Sequence, residues 1–265
     1  LRLIILNIKI SISGAKDKYE HEFTLNDGNF VKTTTGIIDS TNYLSTNVYA
    51  TDEYSQFMSG PLIFGQNFIV PSYDYGSVLQ IKYGSFLLTN VYMNVGKSTD
   101  TTINFNFYAT QLLWHTQNFL GKGNYRFMID TTDKKFTADN GNRNVADRTV
   151  MVSFDQEFGP YLGGWFRSGW QSREIIATFS LIYSGGVDIK GTVWNREQDN
   201  IGIGFAYLTG GDFSIKDGYI FEAYYRFVIN SYLALSPDFQ YQVNRYQDAP
   251  SLKGTVFGLR ATANL

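Results

Sequence analysis

Few residues of this chain have the types and spacing that enzymatic chemistry needs. His21 and His115 are its two histidines, and neither has a second histidine at the spacing of a metal-binding motif. Cysteine is absent, so the chain has no thiol nucleophile, no disulfide and no cysteine-based metal site. Asp155 and Glu157 would share one face of a strand, as an acid/base pair does, but such carboxylates are equally ordinary on a face wetted by water. We therefore expect no catalytic residue, metal site or cofactor.

Three arginines show a more informative pattern. Arg126, Arg167 and Arg226 each fall, in the period-two pattern of a strand, on the face opposite a series of apolar residues. A charge that faces lipid near the middle of a membrane costs on the order of 2 to 4 kcal/mol. If these strands cross a membrane, the three arginines therefore point inward, to water or to other polar side chains.

The strands that must position these residues are clearest between residues 199 and 245. Three runs alternate there between an apolar and a small or polar face, and each run reaches ten or more residues. Soluble strands average about five or six residues, whereas strands of about 9 to 11 residues with aromatic ends are typical of transmembrane barrels. The alternation predicts that one face points toward lipid and carries Phe221, Tyr225, Phe227, Phe239 and Tyr241. It predicts that the other face points toward the lumen and carries Glu222, Arg226, Asp238, Gln240 and Gln242.

Composition agrees with a membrane barrel and excludes other classes. Aromatic residues make up 17% of the chain, which suits aromatic girdles. The mean hydropathy of −0.19 is near neutral because alternating strands average polar and apolar positions. No apolar run approaches the roughly 18 residues of a spanning helix. The net charge of −2 offers no basic stripe for a nucleic acid, so we expect no nucleic acid partner.

The rest of the chain continues the period-two alternation with two interruptions. Beyond the three runs, we predict strands at residues 1–13, 18–25, 30–35, 77–83, 85–95, 101–110, 123–130, 149–158, 161–170, 175–184, 187–193 and 254–265, about 14 to 16 in all. Residues 39–72 contain Pro61 and Pro71 and lack alternation, which predicts an irregular segment with one short helix. Loose backbone cannot face lipid, so we expect this segment to fold inward as a constriction. The polar residues 133–148 predict an exposed loop. Together these features predict a single domain, 1–265, that is an all-β, antiparallel up-and-down transmembrane barrel.

Several stretches resemble the OprB-type carbohydrate-selective porins. They are GGWFRSGW (163–170), GTVWNREQDN (191–200), FEAYYRFVINSYLALSPDFQYQVN (221–244), the end GTVFGLRATANL (254–265) and, upstream, TNYLSTNVYATDEYSQFMS (41–59). The order and spacing of the family's Phe-x-Arg-x-Gly-Trp, Arg-x-x-Asp, Tyr-Arg and Leu-x-Pro-Asp-x-Gln-Tyr patterns are kept. The resemblance implies a bacterial outer-membrane barrel of about 16 strands that passes small sugars by diffusion.

Under this interpretation the polar residues of the inner face and of the constriction are candidates to line the pore and contact a sugar. Arginine offers five donors in a rigid fork, and carboxylates and amides accept from other hydroxyls. The candidates are Arg167, Arg226, Glu222, Arg126, Asp155, Glu157, Lys82, Asp238, Gln240, Arg260, Asp52 and Glu53. The alternative is that they are solvated wall charges paired with one another. For Arg167 we expect room for the guanidinium beside Gly163 and Gly169, and a direct effect on sugar transport.

Two other functions fit the same strands. One is a soluble β-rich carbohydrate-binding or adhesion module, because soluble sandwiches also alternate. The other is a porin of the same fold for anions or metal complexes. The expected partners are small sugars as transported solutes and outer-membrane lipid, and the sequence is compatible with a single chain or a homo-oligomer.

Overall fold

The computed structural model describes residues 7–11, 18–24, 28–65, 71–96, 104–137, 144–171, 179–210 and 215–263. These residues form fourteen strands in one sheet, and each strand pairs antiparallel with the next along the chain. The strands are β1 (Asn7–Ser11), β2 (Lys18–Thr24), β3 (Phe30–Ile38), β4 (Asp74–Tyr83), β5 (Phe86–Val95), β6 (Phe105–Asn118), β7 (Gly121–Thr137), β8 (Asn144–Phe158), β9 (Leu162–Gln171), β10 (Leu181–Lys190), β11 (Asn200–Thr209), β12 (Ile215–Asn230), β13 (Leu233–Tyr246) and β14 (Leu252–Ala263).

Helical structure is confined to short turns. The described residues contain one α-helix, α1 (Gly60–Ile63), and 3-10 turns at Ser40–Asn42 and Gly191–Trp194. No helix in this part of the chain is long and apolar enough to cross a membrane. The all-β, up-and-down antiparallel architecture predicted from the alternation is confirmed.

The described residues form fourteen strands, which is fewer than the number of about 16 implied by the resemblance and lies at the lower end of the 14 to 16 predicted from the alternation. Within them β1 and β14 do not pair with each other, so the sheet order stays linear. One source of the difference is the Gly185-Gly186 pair, which separates the predicted strands at 175–184 and 187–193. In the structure both glycines lie inside β10, paired with Phe166 and Trp165 of β9. The predictions at 181–184 and 187–190 therefore fall in one strand, whereas residues 191–193 lie in a 3-10 turn and residues 175–178 lie outside the described part.

The two faces of the sheet differ as the alternation predicts. Phe221 of β12 pairs with Tyr241 of β13 on one face, while Glu222 pairs with Gln240 on the other. The first, which we call the outer face, carries a continuous row of paired aromatic residues with neighbouring ring centroids 5.6 to 6.2 Å apart. The row comprises Phe86, Trp114, Tyr125, Phe154 and Phe166. We call the opposite face the inner face.

The connections alternate between two ends of the sheet. At one, which we call the short-turn end, residues 84–85, 119–120 and 231–232 join neighbouring strands with two residues each. At the other, the long-connection end, residues 39–73 join β3 to β4. The fold therefore supplies one long segment whose two ends are anchored on adjacent strands.

The polar stretch 133–148 is not the exposed loop that its composition predicts. β7 continues to Thr137 and β8 begins at Asn144, with Lys135 opposite Ala146, and residues 138–143 lie outside the described part. A strand that extends beyond the packed part of a sheet is wetted on both faces. It then keeps its pairing but loses the alternation by which strands are recognised.

Candidate functional site

The inner face carries residues 39–65, which we call the inner segment. It begins with the 3-10 turn Ser40–Asn42, where the Asp39 carboxylate accepts a hydrogen bond from Thr41 N at 3.0 Å. Ser40 N donates to Pro71 O at 3.1 Å, which ties the start of the segment to the residues leading into β4. Apart from this turn and α1 the segment is irregular, as its broken periodicity predicts. Irregular backbone that is buried must find hydrogen-bond partners outside a sheet ladder.

Those partners come from polar side chains on the inner face, a set that we call the polar seat. It comprises Gln111, Asp155, Arg167, Glu222, Arg260 and Thr262. Gln111 of β6 uses both ends of its amide, since its Oε1 accepts from Ser45 N at 2.9 Å and its Nε2 donates to Tyr43 O at 3.1 Å. Asp155 of β8 accepts from Val48 N at 3.3 Å. Side chains of the sheet thus hold the first third of the inner segment through its backbone groups.

Arg167 of β9 is the most deeply buried member of the polar seat, with 0% of its surface exposed. Its Nη2 donates to Ala50 O at 2.9 Å and to Ser45 O at 3.2 Å, and its Nη1 donates to Leu62 O at 3.4 Å. One guanidinium therefore connects both limbs of the inner segment. Tyr49 occupies the predicted room beside Gly163, and this geometry supports a holding role rather than direct contact with a solute.

Arg126 and Asp155 form a buried ion pair next to Arg167. Arg126 Nη1 lies 2.6 Å from Asp155 Oδ2, and the two side chains are 5% and 3% exposed. Asn124 Nδ2 donates to the other carboxylate oxygen at 2.5 Å. A buried charge is tolerated when it is paired and its remaining positions are hydrogen-bonded. The alternative that the wall charges pair with one another therefore holds for these two residues.

Glu222 of β12 holds the second limb of the inner segment. Its carboxylate oxygens accept from Met58 N at 2.5 Å and from Ser59 N at 2.9 Å. Asp238 lies beside Glu222 and accepts from Gln240 Nε2 at 2.9 Å. The structure thus brings together three of the predicted inner-face residues, all of them behind or beside the segment.

β14 holds the turn in the middle of the inner segment. Arg260 Nη1 donates to Glu53 O at 2.6 Å and its Nη2 donates to Gln56 O at 2.7 Å. Thr262 Oγ1 donates to Tyr54 O at 2.9 Å. At this turn the side chains of β14 donate the hydrogen bonds, and backbone carbonyls of the inner segment accept them.

Apolar contacts fill the space between the polar bonds. Two buried clusters each contain residues of the inner segment. One includes Tyr49, Ala50, Phe57, Leu62, Trp165, Ile182 and Tyr224, and the other includes Leu44, Val78, Met93, Phe107, Met128 and Met151. Two strand glycines make room: a Cβ on Gly163 would come within 2.2 Å of Tyr49 Cζ, and one on Gly204 within 2.8 Å of Phe57 Cε1. Burial, together with Glu157, Asp188 and Asp155 nearby, raises the pKa of Tyr49, so its phenol stays neutral.

The remaining predicted residues do not join this arrangement. Glu157 accepts from Lys122 N at 2.9 Å and from Lys190 Nζ at 3.3 Å near the short-turn end. Arg226 donates to Gln198 O at 3.4 Å at the same end. Lys82 is half-buried on β4. Asp52 is exposed and accepts from Tyr54 N at 2.9 Å within its own turn.

Another buried carboxylate, Asp199, was not among the predicted residues. It is 2% exposed and accepts from Arg196 Nε at 2.5 Å, Tyr225 OH at 2.6 Å and Val228 N at 2.9 Å. Burial alone would raise the pKa of Asp199, but these three hydrogen bonds lower it to about 2. The cluster fixes the connection between β10 and β11. The Arg-x-x-Asp spacing of Arg196 and Asp199 was the signal in the sequence.

Among the described residues, this arrangement supplies hydrogen bonds to the backbone of a buried segment, and neither histidine takes part in it. His115 is exposed with Nδ1 2.7 Å from Asn124 Oδ1, and His21 is exposed on β2. Across the described ranges no group of three or more His, Asp or Glu residues could hold a metal ion. The chemistry available is hydrogen bonding around a buried, irregular segment.

Comparison with protein families gives a match over most of the chain. The model of the family described as "Carbohydrate-selective porin, OprB family" matches residues 87–265. An uncharacterized protein of Aquifex aeolicus (strain VF5) is 27% identical over 205 residues, which are 77% of this chain and 57% of that protein. The chain thus spans somewhat more than half the length of this curated relative.

Solved structures share the fold. The high pH structure of Pseudomonas putida OprB superimposes with a TM-score of 0.72 at 14% identity, covering 92% of this chain and 72% of that one. An anion-selective porin from Comamonas acidovorans gives 0.54 at 12% identity, covering 94% and 78%. The outer membrane channel DcaP of Acinetobacter baumannii gives 0.53 at 9% identity, covering 93% and 84%. At these identities the likeness shows a porin fold.

Proposed function

Because the chain belongs to the OprB family of carbohydrate-selective porins, we propose that it forms a passive channel through which small sugars diffuse. The family and the channel proteins of the same fold place it in the bacterial outer membrane. A pore that admits sugars by diffusion needs a narrow, polar passage and no catalytic group. The features that matter for this function are therefore the residues that narrow the passage and the chemical groups that its walls present to a solute.

The observation that carries the proposal is the inner segment on its polar seat. Side chains of β6, β8, β9, β12 and β14 hold its backbone by buried or part-buried hydrogen bonds. A segment fixed from so many strands gives a passage of constant width, and discrimination between small polar solutes requires a constant width. In this proposal residues 39–72 form the constriction, although 66–70 lie outside the described part.

The outer face supports a membrane channel over a soluble carbohydrate-binding or adhesion module. Large apolar side chains stand exposed along it, including Trp114 at 47%, Phe127 at 49% and Phe257 at 80%. A soluble protein rarely exposes a continuous apolar surface of this extent. In the proposal this surface faces outer-membrane lipid, with the aromatic row near one interface.

The inner arginines support sugars over anions as solutes. An anion channel needs cationic side chains that are free to meet the solute. Arg126 is paired with Asp155, while Arg167 and Arg260 donate to backbone carbonyls. These three cations are therefore committed to the protein itself, and the surface they leave to the solute is formed by the inner segment.

Vesicle swelling tests the proposed function. The purified chain is reconstituted into liposomes, and swelling rates are measured with monosaccharides, disaccharides, amino acids and organic anions of matched size. We expect sugars to enter faster than amino acids or anions of the same size. Permeation that follows solute size alone, or a preference for anions, would refute sugar selectivity. Solubility without detergent would instead favour the soluble module.

A further inference from the structure

A cavity of about 410 Å³ opens on the inner segment at the long-connection end of the sheet. Its position follows from Asp39 and Tyr73, which line it and directly flank β3 and β4 at that end. The cavity size lies within the range of small-molecule sites. All of its lining residues except Tyr73 belong to the inner segment.

Aromatic rings cluster around this cavity. Tyr54 is 67% exposed, Tyr73 is 69% exposed and Phe64 is 40% exposed, and all three line it. Single exposed rings are ordinary on a protein surface, whereas several around one concavity mark a binding site. The polar lining includes the side chains of Asn42 and Glu53. Glu53 is exposed, and within the described residues its carboxylate makes no hydrogen bond, so it can accept from a ligand.

We propose that this cavity is a pyranoside-binding site on the long-connection side of the constriction, which captures a sugar before it passes through. The proposal rests on the proposed function and adds a residue-level site to it. The apolar C–H face of a pyranose packs on an aromatic ring, and Tyr54 and Tyr73 offer such rings. Its hydroxyls donate to Glu53 and accept from the amide of Asn42.

The turn that presents Tyr54 is rigid before any ligand arrives. Arg260 and Thr262 hold its backbone from behind through Glu53 O, Gln56 O and Tyr54 O. In front, Asp52 accepts from Tyr54 N at 2.9 Å. A preorganised site loses less conformational freedom on binding. Arg260 is thus a positioning residue for the cavity, although it does not line it.

The charge of the lining disfavours an anionic ligand. Asp39, Asp52 and Glu53 all contribute carboxylates, which repel anions. Asp39 and Asp52 already accept hydrogen bonds inside their own turns, and these residues do not form a metal-binding group in the described part of the chain. A polyhydroxylated, uncharged molecule meets both the rings and the acceptors.

The test uses Tyr54→Ala and Glu53→Gln, with Tyr232→Ala as the matched control. Tyr232 is 68% exposed, like Tyr54, but lies in the two-residue turn at the opposite end. Binding of mono- and disaccharides to the detergent-solubilised protein is followed by tryptophan fluorescence and calorimetry. We expect the dissociation constant to rise roughly three- to tenfold in Tyr54→Ala and to stay unchanged in Tyr232→Ala. Equal affinity in the wild type and all variants would overturn the site, and so would a wild type that binds no sugar.

Vesicle swelling of the same variants separates this inference from the proposed function. Wild-type protein that binds sugar but does not pass it would refute the sugar channel while supporting the binding site. In planar bilayers, sugar added on the long-connection side should block the current at lower concentration than sugar added on the short-turn side. Loss of this asymmetry in Tyr54→Ala supports the site, and symmetric block in the wild type contradicts it. Arg260→Met should weaken binding with the cavity lining intact, and unchanged affinity would contradict its positioning role.

Discussion

Replacing Arg167 by methionine removes a donor group on which both limbs of the inner segment depend. The side chain keeps comparable length but loses the bonds to Ser45 O, Ala50 O and Leu62 O. These carbonyls lie in a water-poor site, since Arg167 is fully buried and Ala50 and Leu62 are buried beside it. We expect the segment to detach from its seat for part of the time, which widens the passage.

The magnitude follows from the two shorter bonds, at 2.9 and 3.2 Å, because the third, at 3.4 Å, is weak. Each buried carbonyl that loses its donor costs about 1 to 3 kcal/mol, and removal of a desolvated guanidinium returns part of this. A net destabilisation of the docked segment by about 2 to 4 kcal/mol is reasonable. Since each 1.4 kcal/mol is a factor of ten, the detached population should rise by roughly thirtyfold to several hundredfold.

Single-channel recording in planar bilayers measures this effect directly. Arg167→Met should show a larger or fluctuating conductance than the wild type, and circular dichroism should show a lower Tm. Arg167→Lys retains charge but lacks the fork that reaches several carbonyls, so it should fall between the two. A direct sugar contact would behave differently, with saturable sugar transport lost and bulk conductance unchanged. That second result would refute the holding role derived from the geometry.

Three further predictions concern the segment and its surroundings. Gly204→Leu should displace Phe57 from its contact and lower the Tm, as measured by thermal unfolding in detergent; an unchanged Tm would show that the close approach is dispensable. Glu222→Leu should leave two buried N–H groups of the segment without acceptors and cost about 2 to 4 kcal/mol, whereas Glu222→Gln should cost less; equal effects in denaturant titrations would contradict this reason. The pKa of Asp199, lowered to about 2, predicts that its stabilising effect is complete above pH 4 and is lost as the pH falls toward 2. Hydrogen exchange of the β10–β11 connection should therefore accelerate in that window, and Asp199→Asn should abolish the dependence.

The sequence predicts local features well because strand alternation is a local property. The assignment of Glu222 and Gln240 to one face, and of Phe221 and Tyr241 to the other, needed only a period of two. The irregular character of residues 39–65 was likewise visible from the loss of that period. Strand bounds failed where composition misleads, as at Gly185-Gly186 and in the polar ends of β7 and β8.

The roles of the inner charges could not be derived in the same way. Arg167 meets Ser45 across 122 positions of sequence, and Glu222 meets Ser59 across 163. Alternation says that such side chains point inward, but it does not say whether water or a folded segment meets them. The sequence pattern is the same whether a charged side chain on the inner face lines a passage or is buried behind the inner segment.

The polar seat bonds to the backbone of the inner segment rather than to its side chains. Gln111, Arg167, Glu222 and Arg260 all contact backbone N–H or C=O groups, which every residue except proline supplies in full. Substitutions on the passage side of the segment therefore leave its attachment intact. In the proposed channel, the side chains that line the passage can therefore change while the sheet that holds the segment stays constant.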